Sequence, residues 1–183
     1  GDAVGVLTFD EAVREYLPAR NRPGHSRQLM LALEKARAGT TTDLIAPLKR
    51  AAEITRRRGM MVLVSDLLAP IDRLEASLGT LAASGHEVLI FHVLDPAEVT
   101  FSFDKASLFY DVESARELYI DPAMARRDYL RQFTAHNAGI EATCRKLGIA
   151  YHRLTTDQPL EGAMFDFLRA RAQRGKLIKR HNR

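Results

Sequence analysis

Gly59-Met60-Met61-Val62-Leu63-Val64-Ser65-Asp66 decides how the 183-residue chain is read. An apolar run of this length, opened by glycine and closed by a serine–aspartate pair, predicts a parallel strand covered on both faces. Residues 88–94 (VLIFHVL) repeat the pattern and close at Asp95-Pro96, and residues 149–154 (IAYHRL) repeat it again before Asp157. Between the first two runs, Leu74, Leu78, Leu81 and Ala82 recur at helical spacing and Gly85 ends the helix. Strand and helix in alternation imply an α/β fold with a mainly parallel sheet and helices on both faces.

Working toward the start, residues 3–9 (AVGVLTF) read as a buried strand ending at Asp10, and residues 13–17 as a second strand before a loop marked by Pro18, Pro23 and Gly24. Ser26 is expected to cap a helix whose inner face holds Leu29, Met30, Leu33 and Ala36, with Gly39 as its stop. After Thr40-Thr41-Thr42-Asp43 a further helix carries Leu44, Leu48, Ala51, Ala52 and Thr55 on one side, and Pro47 sits in or near its first turn. Toward the end, residues 99–120 break into short β-like pieces (100–103, 107–110, 117–120) and read as a hairpin excursion at the sheet's edge. Asp121-Pro122 starts the longest helix, with Leu130, Phe133, Ile140, Cys144 and Leu147 at helical spacing and Gly148 as its stop. Asp157 and Pro159 open a last helix whose inner face is expected to hold Leu160, Met164, Phe167 and Leu168.

Composition excludes several classes. With 46% hydrophobic and 27% charged residues the chain is an ordinary globular protein. No apolar stretch approaches the roughly 20 residues of a membrane helix, and no secretory signal is visible, so a cytoplasmic location is expected. The first residue is glycine, which suits a fragment or a processed chain. Cys144 is the only cysteine, so there is no internal disulfide and no multi-cysteine zinc site. The net charge of +4 sits in the tail: seven cations and no acid occupy the last fifteen residues, leaving 20 basic against 23 acidic residues elsewhere. The expected division is a domain over residues 1–174 and a basic tail over residues 175–183.

In open parallel sheets ligands bind outside the carboxyl ends of the strands. Asp10, Asp66, Asp95 and Asp157 are each expected at such an end, although Asp10, Asp95 and Asp157 also suit plain turn or cap roles. His25, His86, His92, His136, His152 and His181 show no ligand-like pairing at short spacing. No Gly-x-Ser-x-Gly elbow, Gly-x-x-x-x-Gly-Lys-Ser/Thr loop or Gly-x-Gly-x-x-Gly fingerprint occurs, which removes the readiest hydrolase and nucleotide-binding readings.

Several stretches then carry a resemblance. Residues 1–10 (GDAVGVLTFD) resemble the second strand of von Willebrand factor A domains, residues 39–44 with Thr42-Asp43 resemble their threonine loop, and Val62-Leu63-Val64-Ser65-Asp66 resembles their strand ending in a metal-site aspartate. More narrowly, Gly85-His86-Glu87-Val88, Asp95-Pro96-Ala97-Glu98, Leu118-Tyr119-Ile120-Asp121-Pro122 and residues 155–160 (TTDQPL) resemble the bacterial family called domain of unknown function fifty-eight, from Gly1 to about Arg174. The resemblance implies a Rossmann-like, von Willebrand factor A-like fold with a metal-ion-dependent adhesion site on its upper rim. Thr42 and Asp66 match two parts of that site, with Asp10, Asp43, Ser65, Asp95 and Asp157 as further rim candidates. The third part, an Asp-x-Ser-x-Ser loop after a central first strand, is absent: Asp104-Lys105-Ala106-Ser107 and Asp111-Val112-Glu113-Ser114 have the wrong spacing.

Magnesium prefers near-octahedral oxygen ligation beside one or two carboxylates. The chain as given is therefore expected to hold no cofactor, while magnesium or manganese is implied for an intact site. The strands flanking the missing one are expected either to pair directly or to be covered by a second copy. The function that follows is a non-enzymatic protein-interaction module, and the resemblance implies a MoxR-type AAA+ ATPase as companion. The alternative is an anion- or nucleic-acid-binding protein acting through the basic tail, which lacks aromatic residues interleaved for base stacking.

Overall fold

The computed structural model describes residues 2–10, 12–35, 44–55, 58–103, 107–110, 117–162, 164–165 and 167–169. The parallel sheet is present and three-stranded, with strand order β3-β4-β7 and ranges β3 Met60–Ser65, β4 Glu87–Leu94 and β7 Ala150–Thr155. In the parallel register Leu63 lies beside Ile90, and Ile90 beside Tyr151. Each strand is followed or preceded by a helix long enough to cross over: α2 Ile45–Ile54 leads into β3, α3 Ile71–Ala83 joins β3 to β4, and α5 Pro122–Leu147 leads into β7.

Side-chain alternation divides the sheet into two faces. One carries Leu63, Val88 and Ile90 and is packed by Leu44 and Leu48 at α2, Leu74, Leu78 and Leu81 of α3, and Ile140 and Cys144 of α5. The i, i+4, i+7 spacing along α3 is what turns its leucines onto one stripe. Cys144 is core, and burial pushes its thiol up to about 11, so it is an inert packing residue. The opposite face carries Leu89, Phe91, Ala150 and Leu154, covered by Met164 and Phe167. Leu160 and Leu168 are exposed instead, so only two of the four expected inner residues of the last helix face the sheet.

Helix ends follow the sequence signals closely where side chains make the caps. The Asp121 carboxylate accepts the Ala123 N–H at 2.9 Å with Pro122 in the first turn, and Gly148 closes α5 in the left-handed region at φ 68°. Asp95-Pro96 is the same signal, and it opens a short helix α4, Pro96–Thr100, with a full capping box between Asp95 and Glu98. The β-like piece expected at residues 100–103 is therefore replaced by a helix end, with Phe101 as its left-handed cap. The expected hairpin excursion is antiparallel β5 Ser107–Tyr110 with β6 Glu117–Ile120.

The start of the chain differs from expectation. β1 Val4–Phe9 pairs antiparallel with β2 Val13–Arg20 in a separate two-stranded sheet and does not join the parallel one. Helix α1, His25–Glu34, packs on that hairpin through His25, Leu29 and Ala32, whereas Met30 and Leu33 are exposed. His25, Leu29 and Ala32, at i, i+4 and i+7, form the stripe that faces the hairpin.

Coverage of β3 is also incomplete. Among the described strands β3 ends the sheet order, and Val62 and Val64 are 46% and 61% exposed on the face that Phe167 covers over β4 and β7. Among the described residues no helix is long and apolar enough to cross a membrane. Leu78→Ala, at a site 1% exposed, should lower unfolding free energy by about 2–5 kcal/mol. Leu168→Ala, by contrast, should change it by only about 0.5 kcal/mol. Chemical denaturation of both variants checks the assignment of inner and outer faces.

Candidate functional site

Because β3, β4 and β7 are adjacent and parallel, their carboxyl ends share one edge, and Asp66, Asp95 and Asp157 follow those three ends. The end of β7 is tied to that of β4 by the Thr156 N–H, which donates to the Leu94 carbonyl at 3.0 Å. Three of the four rim aspartates expected from sequence are thus brought to one side. Asp10 is not at a parallel strand end. It sits in the β1–β2 turn, buried, where its carboxylate accepts the Ala12 N–H at 3.2 Å and Arg14 Nε at 2.5 Å. Thr42 and Asp43 lie outside the described residues.

The three edge aspartates differ in what their carboxylates do. Asp95 is spent on its capping box, accepting the Ala97 N–H at 2.7 Å. Asp157 is exposed in the turn after β7. Asp66 is exposed at the tip of β3, where its Oδ1 accepts the Leu68 N–H at 3.3 Å and the Ser65 hydroxyl at 3.4 Å, while Ser65 Oγ also accepts the Leu67 N–H at 3.1 Å. Ser65 therefore shapes the loop that carries Asp66.

Sequence reasoning missed the histidines that hold this edge. His92, in β4, is fully buried. Its Nε2 contacts the Asp66 carbonyl at 2.8 Å and its Nδ1 the Tyr151 hydroxyl at 2.8 Å. A carbonyl only accepts, so Nε2 carries the proton and Nδ1 accepts from the tyrosine. On the same logic His136 Nε2 donates to the Leu67 carbonyl at 3.1 Å, and His86 Nε2 donates to the Thr55 carbonyl at 3.1 Å while its Nδ1 accepts the Gly59 N–H at 3.3 Å. These contacts span 26 to 69 residues, which is why short-range spacing gave no sign of them. The available signal was a histidine inside the apolar run VLIFHVL, since a buried imidazole needs partners.

Burial pushes the His92 imidazole below its ordinary 6.5, with the nearby His136 and Arg153 acting in the same direction and the Asp66 carbonyl and carboxylate opposing. Burial also raises the Tyr151 hydroxyl, which keeps it a donor.

The implied divalent ion can be tested against this donor set. Among the described residues no three His, Cys, Asp or Glu side chains come together to hold a metal. Asp66 and Ser65 offer one carboxylate and one hydroxyl, both already accepting N–H groups of their own loop. By themselves these residues do not fit magnesium.

The family model described as protein of unknown function DUF58 matches residues 1–139. The uncharacterized protein Rv1480 of Mycobacterium tuberculosis is 34% identical over 182 residues, covering 97% of this chain and 56% of its own length, and the uncharacterized protein Mb1516 of Mycobacterium bovis matches to the same extent. The chain thus spans about half the length of these curated relatives. The uncharacterized protein MAV169 of Mycobacterium avium is 34% identical over 170 residues, 90% of this chain and 98% of that protein. No solved structure matches.

The lowered His92 value has a stability consequence with a definite sign. A folded value below the unfolded 6.5 means that the unfolded chain binds the proton more readily. The contribution of neutral His92 is complete above pH 6.5 and is lost as pH falls through the lower folded value. Denaturant midpoints measured at stepped pH should be flat above 6.5 and decline below it. A variant with glutamine at position 92 should show a shallower decline over the same window; an equal decline would remove His92 as its source.

Proposed function

The chain belongs to the DUF58 family, and from that premise we propose that it is a protein-interaction module, not an enzyme, whose recognition surface is the carboxyl edge of the β3-β4-β7 sheet. The observation that carries this reading is the position of Ser65-Asp66 at the tip of β3, the strand at the end of the β3-β4-β7 order. In the von Willebrand factor A-like arrangement implied by resemblance, the strand bearing the Asp-x-Ser-x-Ser loop lies next to this aspartate. An apolar strand with no charge, proline or bulge along residues 60–65 has the character of a central strand and not of a protected edge, which supports a neighbour there.

The partner proposed on the same resemblance is a MoxR-type AAA+ ATPase. Affinity capture with the full-length protein should enrich such an ATPase, and Asp66→Ala should reduce the yield about tenfold, the equivalent of roughly 1.4 kcal/mol. Capture that enriches no ATPase, with or without magnesium, would contradict the partner assignment. For this chain alone, calorimetry should detect no micromolar magnesium or manganese affinity; tight binding lost in Asp66→Ala would show that the donor set is larger than described.

A second reading concerns the same edge. Exposed Val62 and Val64 on β3, the strand at the end of the β3-β4-β7 order, favour self-association of this chain through β3. Sedimentation should then show a concentration-dependent dimer that Val64→Lys abolishes, and a monomer at every concentration would exclude it.

A further inference from the structure

Leu67, the residue after Asp66, is a backbone outlier in a conspicuous place. Its φ is 55°, in the left-handed region that a branched side chain rarely adopts, and its side chain is fully buried in the main core. Such a conformation persists only where the surroundings over-determine it.

The surroundings do so from four directions. Ser65 Oγ takes the Leu67 N–H at 3.1 Å, and the Leu67 carbonyl accepts the Ala69 N–H at 2.8 Å. His92 of β4 donates to the Asp66 carbonyl at 2.8 Å, and His136 of α5 donates to the Leu67 carbonyl at 3.1 Å. Tyr151 of β7 sets the His92 ring by donating to its Nδ1 at 2.8 Å. Two consecutive carbonyls are thus gripped by two imidazoles from two different elements, and a third element orients one of the rings. The grip leaves Asp66 exposed and Leu68, 62% exposed, beside it on the same turn.

We propose that His92 and His136 are positioning residues: a two-histidine clamp that fixes the Asp66–Leu67 peptide so that the Asp66 carboxylate and the Leu68 side chain project together from the carboxyl edge in one arrangement. The assignment rests on the reading of that edge as the recognition surface. A loop held in a strained, single conformation loses little freedom when a partner binds, which is the advantage of preorganisation.

Nuclear magnetic resonance tests the clamp on the labelled chain. Histidine long-range spectra should show the His92 ring as the Nε2–H tautomer and a proton on Nε2 of His136. His136→Ala, at a partly exposed position, should speed amide exchange at Leu67 and Leu68 by about tenfold while Leu89 and Ile90 in β4 keep their protection, a local opening and not a global one. His136→Gln, whose carboxamide N–H can reach the same carbonyl, should restore slow exchange, which a mere packing defect would not. Unchanged exchange at Leu67 and Leu68, or an equal rise at Leu89 and Ile90, would overturn the clamp. Capture from the full-length protein separates the two ideas: His136→Ala should weaken it as Asp66→Ala does, with His136→Gln retaining it. Capture indifferent to Asp66→Ala would sink the recognition reading, even with the exchange results as expected.

Discussion

The burial of β4 on both faces is the constraint from which the rest of the architecture follows. Ile90 is turned into the core under α3 and α5, while Leu89 and Phe91 are turned the other way under Phe167. A strand sealed in this way satisfies its backbone only by pairing on both edges, and β3 and β7 supply those pairs in parallel register. Parallel pairing in turn demands crossover helices, and it places every strand's carboxyl end on one side. The recognition edge is therefore a consequence of how β4 is buried.

The same burial explains the histidines. An imidazole is at once a ring that packs and a donor that reaches a carbonyl, so it can staple loop backbone to the core. His86 does this where α2 meets β3, and His25 does it between α1 and the β1 hairpin through the Val4 carbonyl at 2.8 Å. His92 and His136 do it at the tip of β3. The fold thus uses one chemical device at both ends of β3. Among the described residues, only at the carboxyl end does it hold a strained residue beside an exposed carboxylate.

Much of this was legible before any coordinates. The apolar runs at β3, β4 and β7, the leucine stripe of α3 and the Asp-Pro start of α5 are local signals that point the same way as the fold, so each was read correctly. Asp95-Pro96 carried the same helix-start signal as Asp121-Pro122 but was absorbed into the end of a strand, and α4 was missed. Val62 and Val64 show the opposite limit: an apolar residue announces that it wants cover, not whether cover is present in the chain at hand. Asp10 was placed at the rim because it ends a strand, yet direction within a sheet is decided by pairing, and β1 pairs with β2. Thr42 and Asp43 lie outside the described residues, so their share in the site rests on resemblance. The histidine contacts were invisible because they join residues that only the folded topology brings together.

A photo-reactive side chain at position 68, in the full-length protein inside cells, tests the recognition edge most directly, with position 83 at the opposite end of α3 as its control. The account predicts one discrete covalent adduct from position 68, lost when Asp66 is replaced by alanine, and none from position 83. Equal adducts from both positions, or an adduct at 68 that survives the loss of the Asp66 carboxylate, would contradict it.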